Sequence, residues 1–201
     1  MKNILKLGLV LTLYAVAACV GLAFVYSGTE KIIARRQQAD LEAALRELFP
    51  GMEGYEDISG ELVGPDEAVD FEGQYGIFRG KAVIGAAIRA SGASYGGKVV
   101  ILAGIGIDGK ISGVKILETA DTPGLGANAA SPTYYVDRDR KLTFYGQFTG
   151  KSVADPFTVK GDVAAITAST ITSQAITGAV RSASAAASAW LATHAGAGGA
   201  P

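Results

Sequence analysis

The feature that most constrains this chain is an uninterrupted apolar run near its start. Residues 7–29, LGLVLTLYAVAACVGLAFVYSGT, contain no charged side chain. As a helix the run would be about 34 Å long, because each helical residue adds about 1.5 Å, and the hydrocarbon core of a bilayer is about 30 Å thick. The run therefore predicts a single membrane-spanning helix, with residues 1–29 as the anchor.

A cleaved leader is the alternative interpretation of the same run. Lys2 and Lys6 could form the positive region of a signal peptide. Val16-Ala17-Ala18-Cys19 resembles a lipoprotein cleavage site, which would leave Cys19 as a lipid-bearing N-terminus. The apolar run continues well beyond Cys19, and we therefore expect a retained anchor.

A helical pattern continues beyond the anchor over residues 30–50. Apolar side chains are interleaved with charged ones until Pro50-Gly51 ends the pattern. The apolar positions are Ile32, Ile33, Leu41, Leu45, Leu48 and Phe49. The segment is either a stalk that lifts a domain off the membrane or an amphipathic surface helix of that domain, and the sequence leaves both open.

Residues 51–195 have a length typical of one domain, and the glycine-rich residues 196–201 are expected to form a flexible tail. The domain pattern predicts loop and a short helix over 51–70. From Phe71 the pattern is that of strands, with FEGQYGIFRG and KAVIGAAIRA pairing around a turn near Gly80.

A second hairpin follows. The Asp108-Gly109 pair separates GKVVILAGIGI from KISGVKILE, and Asp-Gly between two β-rich runs is a strong hairpin signal. Beyond it, Pro123-Gly124 and Gly126 indicate a tight turn that holds Leu125 outward as an apolar tip. The sequence thus predicts an α+β fold in which an antiparallel sheet is flanked by helices.

The most informative segment is residues 161–180, GDVAAITASTITSQAITGAV. It passes from a hydroxyl-rich stretch into a helical pattern, with apolar residues at 176, 179/180, 183, 187 and 190/191. Capping of the unpaired N–H groups at the helix start is the ordinary role of such Ser and Thr residues. The same N–H groups and the positive end of the helix dipole also suit a phosphate.

Within that segment, ITASTITSQAITGAV resembles the flavin-attachment segment of the FMN-binding domain family. The family motif runs Asp-x-x-Ser/Thr-Gly-Ala-Thr, often followed by x-Thr-Ser. Its last core Thr carries FMN through a phosphoester, which a separate flavin transferase installs from FAD. The resemblance places Thr167 at the Ser/Thr, Ala168-Ser169 at the Gly-Ala pair and Thr170 at the acceptor, with Thr172 and Ser173 in the tail.

Three positions depart from that motif. Ala164 stands where the motif has Asp, and Asp162 lies two residues too early. Ala168 replaces the Gly, which raises the cost of a left-handed backbone there. Ser169 replaces the Ala and offers a competing hydroxyl, although Thr170 remains the best acceptor.

Other segments extend the resemblance. Residues 122–126, TPGLG, match a family segment that reads Glu-Thr-Pro-Gly-Leu-Gly and borders the flavin, with Asp121 in place of the Glu. SYGGKVVI, at 94–101, resembles the family's Gly-Tyr-Gly-Gly strand entry. The implied FMN site has no catalytic residue and no metal ligand. Its members are Thr170 as the covalent attachment point, Thr167, Ala168, Ser169, Thr172, Thr122, Gly124, Leu125 and Gly126.

Two lysines near this segment are candidates for neutralising a phosphate. QFTGKSV, at 147–153, resembles a short family turn and contains Lys151, and Lys160 follows it. Either could instead be an ordinary solvated lysine. The aromatic residues of 127–147 are more often core than flavin-stacking residues, namely Tyr134, Tyr135, Phe144 and Tyr145.

The family includes the G subunit of the Rnf ion-pumping ferredoxin:NAD oxidoreductase and the C subunit of the sodium-pumping NADH:quinone reductase. The short length and the single domain favour the Rnf type. The resemblance implies an electron-transfer subunit that carries covalent FMN within an ion-translocating membrane complex. Its expected partners are other subunits of the complex, a flavin transferase and the lipid bilayer.

The resemblance also implies a location in the bacterial cytoplasmic (inner) membrane, with the soluble domain on the extracytoplasmic side. Charge alone does not decide the orientation. Lys2, Lys6 and the amino terminus precede the anchor, and Lys31, Arg35 and Arg36 follow it, which is nearly a tie.

Composition excludes several other classes. A net charge of −1 and a pI near 5.9 give no electrostatic basis for nucleic-acid binding. A single Cys and a single His, His194, supply neither a metal site nor a hydrolytic constellation. The chain has no nicotinamide-binding fingerprint and no cysteine set for an iron–sulfur cluster. Two alternatives stay open: a non-redox assembly subunit, and an anchored domain that binds FMN without a covalent bond.

Overall fold

A computed structural model describes residues 2–194, so the predicted tail at 196–201 lies outside the described residues. The fold is α+β, as the sequence predicts. Helix α1 (Lys2–Leu48) precedes the strands and helix α2 (Thr170–His194) follows them. The strands are β1 (Gly54–Asp57), β2 (Val69–Arg79), β3 (Ala82–Ala93), β4 (Lys98–Gly106), β5 (Ile111–Thr119), β6 (Tyr135–Asp137) and β7 (Leu142–Thr143).

Strands β1 to β5 form one antiparallel sheet in chain order, and β6 pairs with β7 separately. Both predicted hairpins are confirmed. Arg79 of β2 lies opposite Ala82 of β3, and Ile105 of β4 lies opposite Ile111 of β5. The turn glycines Gly80 and Gly109 have φ of +60° and +73°, a backbone region that glycine enters without steric cost.

Helix α2 covers one face of the sheet, over β3 and β4. The face of α2 that the sequence periodicity predicts is buried, at Ile176, Ala179, Val180, Ala183, Ala187, Trp190 and Leu191. Opposite it, Ile88 and Ala90 of β3 and Ile101 and Ala103 of β4 belong to the same core cluster. Because α2 packs against the sheet along its length, the position of its first residue, Thr170, is determined by the same packing.

The other face of the sheet is covered by the end of α1. The chain from Ala44 onward belongs to the same compact unit as the sheet, whereas the residues up to Ala43 form a separate unit. The ring of Phe49 lies over two strands: a Cβ built at Gly85 or Gly104 would come within 2.5 or 2.9 Å of it. Leu45 and Leu48 in the last turns of α1 are buried as well, so the end of α1 and Phe49 after it are part of the domain core. The predicted division of the chain after residue 50 stays a prediction.

The part of α1 before Ala44 is described by itself. By length and composition, α1 contains a stretch that can cross a membrane. Its apolar side chains point outward, with Leu7, Leu11 and Phe24 each at least 70% exposed. In water such a surface is unfavourable, and a bilayer would cover it.

The prediction for residues 51–70 is wrong in one respect. No short helix forms there; instead Gly54–Asp57 is an edge strand that pairs with β2, Tyr55 lying opposite Ile77. Tyr55 and Tyr75 meet edge to face with ring centroids 5.8 Å apart. The strand is too short and too acidic to show alternation, so its pairing depends on the neighbouring strand.

Candidate functional site

Three segments that are distant in sequence surround one cavity of about 470 Å³. The first is the turn between β3 and β4, the second is the turn after β5, and the third is the start of α2. The lining residues are Tyr95, Asp121, Thr122, Leu125, Gly126, Ala168, Ser169, Thr170, Ile171 and Thr172. The volume is within the range of small-molecule and cofactor sites.

The N-terminus of α2 forms one wall of the cavity. Thr170 is the first helical residue, and the first α-helical hydrogen bond runs from the Ser173 N–H to the Ser169 carbonyl at 3.0 Å. The N–H groups of Thr170, Ile171 and Thr172 find no acceptor among residues 2–194. Three unpaired donors at the positive end of a 25-residue helix form a site suited to a phosphate.

The loop entering α2 is held in an unusual backbone conformation. Ala168 has φ of +59°, the left-handed region, at the position where the family motif has Gly. The buried Ser173 hydroxyl accepts from the Ile166 N–H and donates to the Ser169 carbonyl, both at 2.9 Å. These bonds close the loop back on the helix and place Ser169 and Thr170 at the cavity.

Asp121 links all three segments. Its carboxylate accepts from the Ser94 hydroxyl at 2.5 Å and from the Gly96 N–H at 2.6 Å, and it also accepts from the Thr172 side chain. Burial favours the neutral acid, but these hydrogen bonds outweigh it and lower the pKa of Asp121 below its ordinary value. The cavity wall therefore contains one ionised carboxylate at neutral pH.

The turn after β5 has the geometry that its sequence predicts. The Leu125 N–H donates to the Thr122 carbonyl at 3.1 Å, and Gly124, at the third position of the turn, has φ of +81°. This is a type II turn, which requires glycine there. Gly126 is needed for a different reason: a Cβ on it would lie 2.5 Å from the Thr172 hydroxyl and 2.6 Å from Asp121 Oδ2.

The mouth of the cavity is apolar and open. Tyr95, Leu125 and Ile171, one from each segment, are 78%, 43% and 52% exposed. Exposed large apolar side chains that converge on one opening commonly mark a binding site. The cavity thus combines a polar wall of N–H and hydroxyl groups with an apolar rim.

The structure brings most of the predicted site residues together. Seven of the nine line the cavity, namely Thr122, Leu125, Gly126, Ala168, Ser169, Thr170 and Thr172. Thr167 is exposed beside it, its N–H donating to the Tyr134 hydroxyl at 3.2 Å, and Gly124 shapes the turn without reaching the lining. Whether these residues bind a cofactor stays a prediction.

Sequence reasoning missed three lining residues, Tyr95, Asp121 and Ile171. Tyr95 lies in the SYGG segment and Asp121 directly precedes TPGLG, so both carried a usable signal. Ser94 and Gly96 lie in the same segment, but the sequence did not indicate their hydrogen bonds, because these depend on a carboxylate that lies 27 and 25 positions further along the chain. Ile171 is simply the next residue of the helix.

The two candidate lysines do not reach the cavity. Lys151 pairs with Asp162 at 3.0 Å, and Lys160 is exposed on the loop before α2. Among the described residues the cavity lining contains no Lys or Arg. Phe144 and Phe148 are fully buried in the core, where their rings meet edge to face.

Comparison with known proteins identifies the family. The family model described as FMN-binding domain matches residues 94–185, which include all three cavity segments, and the RnfG N-terminal region matches residues 1–48. The G subunit of the Na⁺-translocating ferredoxin:NAD⁺ oxidoreductase complex of Acetobacterium woodii is 33% identical, and the alignment covers 89% of each chain. The chain belongs to the family of G subunits of ion-translocating oxidoreductase complexes.

Other G subunits are similar over most of their length. The G subunit of the ion-translocating oxidoreductase complex of Methanosarcina acetivorans is 29% identical, covering 90% of this chain and 93% of its own. That of the proton-translocating ferredoxin:NAD⁺ oxidoreductase complex of Clostridium ljungdahlii is also 29% identical, covering 86% and 85%. Because these names specify sodium in one relative and protons in another, membership of the family does not define the coupling ion.

The cavity of this G subunit fits FMN in its chemistry. The unpaired N–H groups of Thr170, Ile171 and Thr172 suit the phosphate, and the hydroxyls of Ser169 and Thr170 lie beside them. The apolar rim suits a flat aromatic ring. FMN supplies one- and two-electron redox chemistry, whereas the protein supplies position and electrostatics.

Proposed function

We propose that this G subunit carries FMN on Thr170 through a phosphoester and relays electrons within an ion-translocating ferredoxin:NAD oxidoreductase complex. The observation that carries the proposal is the position of Thr170. It lies on the cavity wall at the first residue of α2, beside three N–H groups without an acceptor in residues 2–194. An attachment point and a phosphate site therefore coincide.

Other hydroxyls at the cavity are less suited to attachment. The Thr172 side chain is buried and already donates to Asp121. Ser169 is 8% exposed, and it precedes the helix. Thr170 is half-buried and lines the cavity, so it is more accessible than Ser169 or Thr172 and still lies within the site.

Attachment exchanges a phosphoanhydride bond of FAD for a phosphoester bond to the protein. The Thr170 oxygen bonds to the FMN phosphorus of FAD, the bond between the two phosphates breaks, and AMP leaves with the hydroxyl proton. A flavin transferase catalyses this exchange. The residues of this chain hold the new phosphoester at the helix N-terminus, where the dipole favours negative charge. Leu125, Tyr95 and Ile171, which line the same cavity, would contact the ring and exclude water from it.

Electrons must enter and leave through partners, because the sequence contains no nicotinamide fingerprint and no cysteine set for an iron–sulfur cluster. The partners are the other subunits of the complex. The long apolar stretch of α1 anchors the chain in a bacterial cytoplasmic membrane, with the domain on the extracytoplasmic side. A covalent bond suits that side, since a flavin that dissociated there would be lost.

The test is the intact mass of the full chain after co-expression with a flavin transferase. Wild type is expected to gain the mass of one FMN less one water, and Thr170→Ala is expected to keep the bare chain mass. Ser169→Ala is the matched control, because it removes the neighbouring hydroxyl and leaves Thr170. We expect it to be flavinylated like wild type.

Other outcomes would assign a different role. If Ser169→Ala lost the flavin and Thr170→Ala kept it, the attachment point would be Ser169. If wild type shows the bare chain mass but the purified protein releases flavin on acid denaturation, FMN is bound without a covalent bond. A bare chain without flavin would favour a non-redox assembly subunit, which the departures at Ala164, Ala168 and Ser169 would suit.

A further inference from the structure

The cavity has an unusual charge distribution. Of its ten lining residues one is charged, Asp121, and this residue is 7% exposed. Within residues 2–194 it has no ion pair with Lys, Arg or His. Its partners are two hydroxyls and one backbone N–H, which solvate the charge without neutralising it.

A negative charge at this place acts on any redox group bound in the cavity. Addition of two electrons and one proton to an oxidised flavin leaves reduced flavin with one negative charge near neutral pH. A fixed carboxylate in a partly water-excluded site repels that charge more strongly than the same carboxylate would in water. The oxidised form is favoured as a result.

We propose that Asp121 is a potential-setting residue that keeps the reduction potential of the bound flavin low. The inference rests on the proposed function, because it requires a flavin in this cavity. Asp121 acts through its charge and through the three segments that it joins. A low-potential flavin is a suitable acceptor only for a strongly reducing donor.

An isosteric substitution separates the charge from the hydrogen bonds. In Asp121→Asn the side-chain carbonyl can still accept from the Gly96 N–H, because that donor fixes which way the amide points. The amide NH₂ then replaces Oδ2 and donates to the Ser94 hydroxyl, which is able to accept. The links through Ser94 and Gly96 are kept and the charge is removed.

The full chain is co-expressed with a flavin transferase and purified in detergent. The experiment is a redox titration of its flavin against a reference dye. For Asp121→Asn we expect the ratio of reduced to oxidised flavin at a given potential to rise about tenfold, a shift of about +30 mV for a two-electron couple. An unchanged or lower potential would overturn the proposal.

Ser94→Ala is the matched control. It removes one hydrogen bond from Asp121 and keeps the carboxylate, so the potential is expected to stay unchanged or to fall. If the rise in potential in Asp121→Asn came from loosening of the three segments, Ser94→Ala would raise the potential as well. The proposal would then be wrong.

A second variant covers the case in which Asp121→Asn acquires no flavin. Thr122→Asp adds a carboxylate to the same wall, at an exposed residue of the lining. We expect it to lower the potential, and no change would overturn the proposal. Wild-type protein without any flavin would instead contradict the proposed function, so the two failures are distinguishable.

Discussion

At the scale of single residues, Ala168 has a backbone conformation that is unfavourable for a residue with a Cβ atom. With φ of +59° it occupies the left-handed region, where a Cβ costs about 1–2 kcal/mol relative to the right-handed form. The conformation persists because the Ser173 hydroxyl ties both Ile166 and Ser169 to the helix. The loop is thus strained at the point that places Thr170.

Ala168→Gly should therefore stabilise the protein. Relief of the strain exceeds the extra entropy of glycine in the unfolded chain, and we expect a gain of about 0.5–1 kcal/mol in the free energy of unfolding. The measurement is urea denaturation of the domain. Ala165→Gly, earlier in the same loop and without a positive φ, is the control and should lose about 0.4–1 kcal/mol. Equal losses in both variants would show that Ala168 is unstrained.

Some residues of the candidate site could be predicted from the sequence, and others could not. Thr170, Ala168 and Leu125 belong to short motifs, and their places depend on local backbone, so the motif predicts them. The hydrogen bonds of Asp121 to Ser94 and Gly96 join residues 27 and 25 positions apart. Nothing in the local pattern specifies such contacts; they arise when the sheet aligns the two turns.

At the scale of elements, the strong signals predicted the fold well. The Asp108-Gly109 hairpin and the buried face of α2 depend on turn chemistry and periodicity, which act locally. The edge strand Gly54–Asp57 was missed because its formation depends on pairing with β2. For residues 30–50, the sequence left stalk and surface helix open, and the structure places Leu45, Leu48 and Phe49 in the domain core.

This packing predicts where the soluble domain can be cut. A chain that starts at Ala44 keeps Leu45, Leu48 and Phe49, whereas one that starts at Gly51 exposes the sheet face that they cover. Each buried apolar side chain stabilises by about 1.5–3 kcal/mol, so together they approach the usual total stability of about 5–15 kcal/mol. We expect the longer chain to unfold cooperatively on heating and the shorter one to be unfolded or aggregated.

The single substitution Phe49→Ala, made in the longer chain, serves as a control for this comparison. It should cost about 3–5 kcal/mol and leave the chain folded but less stable. Equal thermal stability of the two truncated chains would mean that the end of α1 contributes nothing to the core.

At the scale of the whole molecule, the proposed covalent bond to FMN is most useful if the domain lies outside the cytoplasm. A free FMN pool would make a covalent bond unnecessary, and the charges on either side of the anchor do not fix the orientation. Sidedness can be measured with single-cysteine chains. Cys19→Ser removes the native thiol, and Ala189→Cys adds one on the exposed surface of α2.

With a membrane-impermeant thiol reagent, the Ala189→Cys chain should be labelled in intact cells as strongly as in lysed cells. A chain with Ile4→Cys, ahead of the uncharged run at 7–29, should be labelled only after lysis, and Cys19→Ser alone should not be labelled at all. The reverse pattern would place the domain in the cytoplasm. The bond to Thr170 would then have to be explained by electron transfer itself, because a permanently held flavin keeps one fixed distance to its partners, rather than by the need to retain the cofactor.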